Sequence, residues 1–152
     1  MRGRSKGFSL IELLVVIIIL ALGLYAVGAL FVAGTISASK ARRITAARQA
    51  GEKEVERLRS AGFAGCIVDP DIFSTAEGYT ILQQNPDLTG RIGFELPTTL
   101  PPGSTGTIDI AVYQAGAGYY PNLKDLTVSV IWPGGGVTGG TLVLHTLIAN
   151  RP

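Results

Sequence analysis

The chain has 152 residues, 47% of them hydrophobic and 16% charged, with mean hydropathy +0.36. That length excludes a large two-domain enzyme and leaves room for one modest core, or for an anchor plus a small domain. The formal net charge of +2 hides a segregated distribution, so the charges and the apolar excess are both read segment by segment.

Residues 1–7 carry Arg2, Arg4 and Lys6 and no acid, a pattern that faces the cytoplasm. Residues 13–34 then run for 22 positions without a charge, a proline, an Asn or a Gln. As a helix this run is about 33 Å long, enough to cross a hydrocarbon core of about 30 Å. It exceeds the apolar region of a secretory signal peptide, although Ala26, Gly28 and Ala29 offer small residues at which such a peptide could be cut. A buried core helix is the other alternative, but a chain this short has little core to hide it. Lys40, Arg42 and Arg43 follow the run, so the basic flanks nearly balance and do not set the orientation alone.

Glu12 is the lone acid at the edge of the run. A carboxylate there is costly without a cation and is a functional candidate by default. The tetrad from Ser9 to Glu12 also fits a capping box, in which Ser9 and Glu12 satisfy early backbone N–H groups of the helix. That local reading does not account for the basic, glycine-ended leader just upstream.

The residues Lys6-Gly7-Phe8-Ser9-Leu10-Ile11-Glu12, followed by the apolar run, resemble the N-terminus of type IV prepilins. The resemblance implies cleavage by a prepilin peptidase between Gly7 and Phe8, N-methylation of Phe8, and a mature chain of residues 8–152 with net charge −1. It also implies an assembly role for Glu12, whose carboxylate would meet the freed N-terminal amine of a neighbouring subunit; pairing lowers the cost of burying either charge. Gly23, Gly28 and Gly34 stand where many major pilins have a helix-breaking proline, and each weakens the helix by about 1 kcal/mol relative to Ala. The stretches around residues 21–24, 46–59 and 128–151 are similar to PilV-type minor pilins and to minor pseudopilins of type II secretion.

Beyond Gly34, Ile44, Ala47, Gly51, Val55 and Leu58 recur at helical spacing and predict one apolar face. The opposite face carries the pairs Arg48–Glu52 and Glu54–Arg57, read as solvated and worth a few tenths of a kcal/mol each. Gly62 is the expected C-cap of a helix over residues 9–61. Lys40, Arg42 and Arg43 could meet anionic lipid headgroups or be ordinary helix charge.

Residues 61–152 have a net charge of −4. Five prolines punctuate residues 61–106, with short strands predicted at 79–83 and 91–96. Ile108, Ile110 and Val112 alternate along one strand, Leu126, Val128, Val130 and Trp132 along the next. The glycines at 134–136, 139 and 140 predict a flexible hairpin into a last strand at 141–148. They lack the Gly-Lys-Ser/Thr ending of a phosphate loop.

Chemistry-bearing residues are sparse. His145 is the only histidine, which excludes a His-pair metal site and leaves a packing or surface role. The one G-x-S-x-G spacing, Gly3 to Gly7, lies in the basic leader and not between a strand and a helix, so it offers no nucleophile elbow. Asp69, Asp71 and Glu77 could offer oxygen ligands to Ca²⁺ but lack an EF-hand loop, so an acidic loop is expected. Cys66 is the only cysteine, so no internal disulfide can form; it is expected to be buried, with crosslinking to a partner as the alternative. The absence of that staple, against the disulfide loop of many major pilins, favours a minor subunit.

These readings predict an α+β, pilin-like fold, with a long N-terminal helix, membrane-spanning then amphipathic, packed on a small antiparallel β-sheet head. The expected division is a leader at 1–7, a membrane and filament-core half-helix at 8–34, an amphipathic half at 35–61 and a loop-rich head at 62–152. The expected function is a structural subunit of a type IV pilus-like filament, not an enzyme, with no cofactor and no metal. Its partners would be prepilin peptidase, other pilin or pseudopilin subunits and inner-membrane lipids, with no nucleic acid. The location would be the cytoplasmic membrane before assembly and a cell-surface or periplasmic filament after it. A type II secretion or competence pseudopilin is one alternative, and a membrane-tethered or secreted binding domain is another.

Overall fold

A computed structural model describes residues 9–116, 118–134 and 139–150. Among the described residues one α-helix, α1 (Leu10–Gly65), and a short 3-10 turn (Thr75–Glu77) are followed by five strands: β1 (Tyr79–Gln84), β2 (Gly90–Phe94), β3 (Thr105–Ala115), β4 (Gly118–Trp132) and β5 (Gly140–Ala149). The chain divides into two compact units, Met1–Ala41 and Arg42–Pro152.

In the first unit the described chain is helix from Leu10 onward, with large apolar side chains on every side exposed, among them Leu14, Ile18, Leu24 and Phe31. An 18-residue window reaches mean hydropathy 2.9 with none of it buried. A helix that is apolar all round persists only where lipid or protein, not water, covers it.

In the second unit the rest of α1 packs on an antiparallel meander ordered β1-β2-β3-β4-β5. Hairpin connections suffice for that order, so 111 residues need no crossover helix. The fold is therefore the expected α+β, pilin-like arrangement of helix on sheet.

Register explains the core. Ile92 pairs with Ile108, Ile108 with Val128, and Val128 with Leu144, so one face of the sheet presents a continuous apolar row. Ile92, Ile108, Leu126, Val128 and Val130 are fully buried there, each contributing about 1.5–3 kcal/mol of apolar burial. Two cross-strand pairs set an aromatic against a glycine, Phe94 with Gly106 and Trp132 with Gly140. A Cβ on Gly106 would come 2.7 Å from the Phe94 ring, so each glycine is the space its aromatic occupies. The first, second and last strands match the expected ones within two residues, β3 and β4 extend beyond the alternating stretches 108–112 and 126–132, and the link from Trp132 to Gly140 closes an antiparallel pair. Gly135 and Gly136 of the predicted flexible hairpin lie outside the described residues.

The helix face is not quite the predicted one. Ala47, Gly51, Glu54 and Leu58 are the buried positions, at spacings of 4, 3 and 4. Val55 is half-buried and Ile44 is exposed. Both sets satisfy a helical period; the sheet selects the row carrying Glu54. At Gly62 the backbone leaves the helix with φ 69° and ψ −171°, a conformation open almost only to glycine, before a last turn to Gly65. That break turns the chain so that Cys66 and Val68 enter the core.

Candidate functional site

The N-terminal end of α1 holds the predicted assembly residue. The Ser9 carbonyl accepts the backbone N–H groups of Glu12 at 3.0 Å and Leu13 at 3.1 Å, so the helix starts at Ser9. Glu12 lies in the first turn, where a carboxylate complements the positive end of the helix dipole. It is exposed, surrounded along the helix by exposed Leu10, Ile11 and Leu13. Gly7 and Phe8, at the predicted cleavage and methylation site, lie outside the described residues. Farther along, the Thr35 hydroxyl donates to the Val32 carbonyl at 2.8 Å, so the first hydroxyl after the apolar run is satisfied by the helix itself. Lys40 and Arg42 are exposed and Arg43 is half-buried.

In the second unit, two buried polar groups change the sequence reading. Arg48 and Glu52 form the expected exposed ion pair at 2.7 Å. Glu54 and Arg57 do not pair on a solvated face. Glu54 is 4% exposed, and its Oε2 accepts the Tyr79 hydroxyl at 2.8 Å. Burial, and then the Glu54 carboxylate, push the Tyr79 phenol up to about 12. Arg57 instead reaches the opposite loop. Its Nη2 donates to the Ile72 carbonyl at 3.0 Å and meets Glu77 Oε2 at 3.3 Å. Its guanidinium lies 4.4 Å from the Tyr79 ring centroid and 5.0 Å from that of Phe73. Arg57 thus clamps the segment between helix and sheet through charge, hydrogen bond and ring face together.

Lys124 is the second such group. It continues the inward row of Leu126, Val128, Val130 and Trp132, and it is buried. Its Nζ donates to the Cys66 carbonyl and lies 4.8 Å from the Phe63 ring centroid. Burial holds its amine below the ordinary lysine value. Cys66 is a buried free thiol, 3.5 Å from the Leu58 carbonyl, and burial raises its pKa. The expectation of burial therefore holds for this cysteine. Period-two phase would have found Lys124, two residues before Leu126.

The remaining candidates separate. The Asp69 carboxylate accepts the Asp71 backbone N–H at 2.9 Å, closing its own turn, while Glu77 goes to Arg57. Among the described residues no three His, Cys, Asp or Glu side chains gather as a metal site. His145 stands exposed on the outer sheet face, its Nδ1 2.9 Å from the Thr127 hydroxyl and 3.8 Å from Asp125. Both neighbours face the same ring nitrogen, which is not the arrangement of a base relaying between nucleophile and acid.

Residues 2–28 match the prokaryotic N-terminal methylation motif. The chain matches no curated protein and no solved structure.

Proposed function

Starting from a chain whose N-terminal segment is type IV prepilin-like, we propose that it is a structural subunit of a type IV pilus-like filament, made as a membrane-anchored precursor. The observation that carries this is the methylation motif overlapping the start of a helix that contains an 18-residue window of mean hydropathy 2.9, none of it buried. Such a helix needs lipid before assembly and neighbouring helices after it. Prepilin peptidase cuts between Gly7 and Phe8 and methylates Phe8. Glycine there suits an extended chain in a protease cleft, because no side chain intrudes.

Glu12 is the register residue. On an otherwise apolar helix its charge is most stable opposite one cation, the amine released by cleavage of the adjacent subunit. The precursor sits single-pass in the cytoplasmic membrane, and the assembled form is a surface or periplasmic filament. Within that class a minor pilin of the PilV type is the reading favoured by the head, whose only cysteine is a buried free thiol that leaves it without a disulfide. Its work is assembly, not catalysis.

The decisive experiment is the intact mass and N-terminal sequence of the protein from membranes or sheared filaments of its native host. A chain beginning at N-methylated Phe8 is expected. Cleavage near Ala29, or an intact Met1, would overturn the filament reading and leave a tethered or secreted binding domain. Glu12→Val is expected to leave processing intact and impair assembly, and Gly7→Leu to block processing.

A further inference from the structure

Between α1 and the β1–β2 end of the sheet lies a groove of about 590 Å³ within the second unit. Ala46 and Ala50 from the helix, Phe94 at the end of β2 and Leu96 and Pro97 just after it give it apolar walls. Glu54 lines it as well, although that side chain is 96% removed from solvent by its 4% exposure. One carboxylate oxygen takes the Tyr79 hydroxyl. Among the described residues no cation stands within 4 Å of either oxygen. Arg57, one turn farther along, gives its Nη2 to Ile72 and Glu77, while its buried Nη1 has no hydrogen-bond partner among them. Glu77 and Glu95 add two further carboxylates to the lining, against the single ammonium of Lys53.

A buried carboxylate with one phenol donor and no counter-ion is an incomplete pair, because burial penalises a charge that nothing compensates. We propose that this groove receives a lysine or arginine side chain of a neighbouring filament subunit, whose cationic head pairs with Glu54. The shape fits that chemistry. Apolar walls suit the methylene stem of such a side chain, and the acid suits its head. The groove's lining sets Glu54, Glu77 and Glu95 against Lys53 alone, so an incoming cation is also drawn by the local field. Assembly therefore uses a second contact, far along the chain from Glu12, that reads the partner's charge. The identity of the donor as a filament neighbour rests on the function proposed above.

The test has two arms. In the first, the full chain in detergent micelles is titrated with a capped lysine amide and with the capped norleucine amide of equal length, followed by amide NMR shifts. Saturable binding of the lysine compound is expected at least tenfold tighter than of the neutral one, with Glu54→Gln abolishing the preference. If Glu54→Gln does not fold, Glu95→Lys at the exposed mouth is expected to weaken lysine binding at least threefold. Equal binding of both compounds, or unchanged affinity in the folded variant, would overturn the site. In the second arm, a photo-crosslinking residue replaces Gln49 in assembled filaments. Capture of a peptide with Lys or Arg at the crosslink is expected, and capture of one without a basic residue overturns the assignment of the donor. Should no filaments form, the filament reading fails while the first arm still decides the groove.

Discussion

The Glu54 carboxylate on the helix accepts a 2.8 Å hydrogen bond from the Tyr79 hydroxyl on the first strand, joining residues 25 apart in sequence inside the head. Tyr79→Phe removes the one donor to a buried acid while keeping the ring. It is expected to lower stability by about 1–3 kcal/mol, the cost of an unsatisfied buried acceptor. Thermal unfolding in micelles, followed by Trp132 fluorescence, reads the loss.

The same pair predicts an alkaline transition. The phenol titrates at about 12 in the folded chain and near 10 when unfolded. Between those values the unfolded chain holds fewer protons, so stability falls as pH rises. The contribution is complete below about pH 10 and is lost as the pH climbs through about 12. Absorbance titration should show a tyrosine ionisation near pH 12, and Tyr79→Phe should remove that step.

Cys66 is fully buried, with its thiol held in the protonated form by burial. The thiolate is the reactive species. Alkylation of the native protein at pH 8 should therefore be slow, and should become rapid only in denaturant. Intact mass after timed iodoacetamide treatment checks this; prompt modification of the native chain would contradict the buried placement.

Gly62 has φ 69° and no heavy atom within 4 Å of where a Cβ would stand. Gly62→Ala therefore meets no clash and tests backbone strain alone. A loss of about 1–3 kcal/mol is expected. An unchanged melting temperature would mean that α1 ends without the break.

Leu58 is 1% exposed and Ile44 42% exposed, although both fit a helical stripe. Leu58→Ala is expected to cost about 2–5 kcal/mol by emptying core volume. Ile44→Ala should stay within about 0.5 kcal/mol. Comparable losses at both positions would place the sheet against a different helix face.

Local pattern was enough for the elements whose shape depends on near neighbours. The apolar run specified a helix that water cannot accommodate, Gly62 marked its break, and alternation along 108–112 and 126–132 specified strands with one face inward. The N-terminal heptad from Lys6 to Glu12 carried the functional signal, because a basic leader, a glycine and a lone acid before an apolar helix form a contiguous combination. None of this depends on what the chain touches farther away.

Which polar residues lie inside, and what they meet there, depended on how the sheet closes on the helix. Glu54 and Val55 are neighbours on the helix, and either completes an apolar stripe by spacing alone; the sheet's position buried the acid and left the valine half-covered. Arg57 looked like the i,i+3 partner of Glu54, but Phe73, Glu77 and the Ile72 carbonyl, brought in by the loop, offer it more. For Lys124 the inward phase follows from alternation with Leu126 and Val128, and the fold supplied only its partner, the Cys66 carbonyl. The physical reason is one of range. Periodicity constrains neighbours within a turn or a strand, whereas the pairing of a buried charge is fixed by residues tens of positions away, which meet only when the sheet closes on the helix.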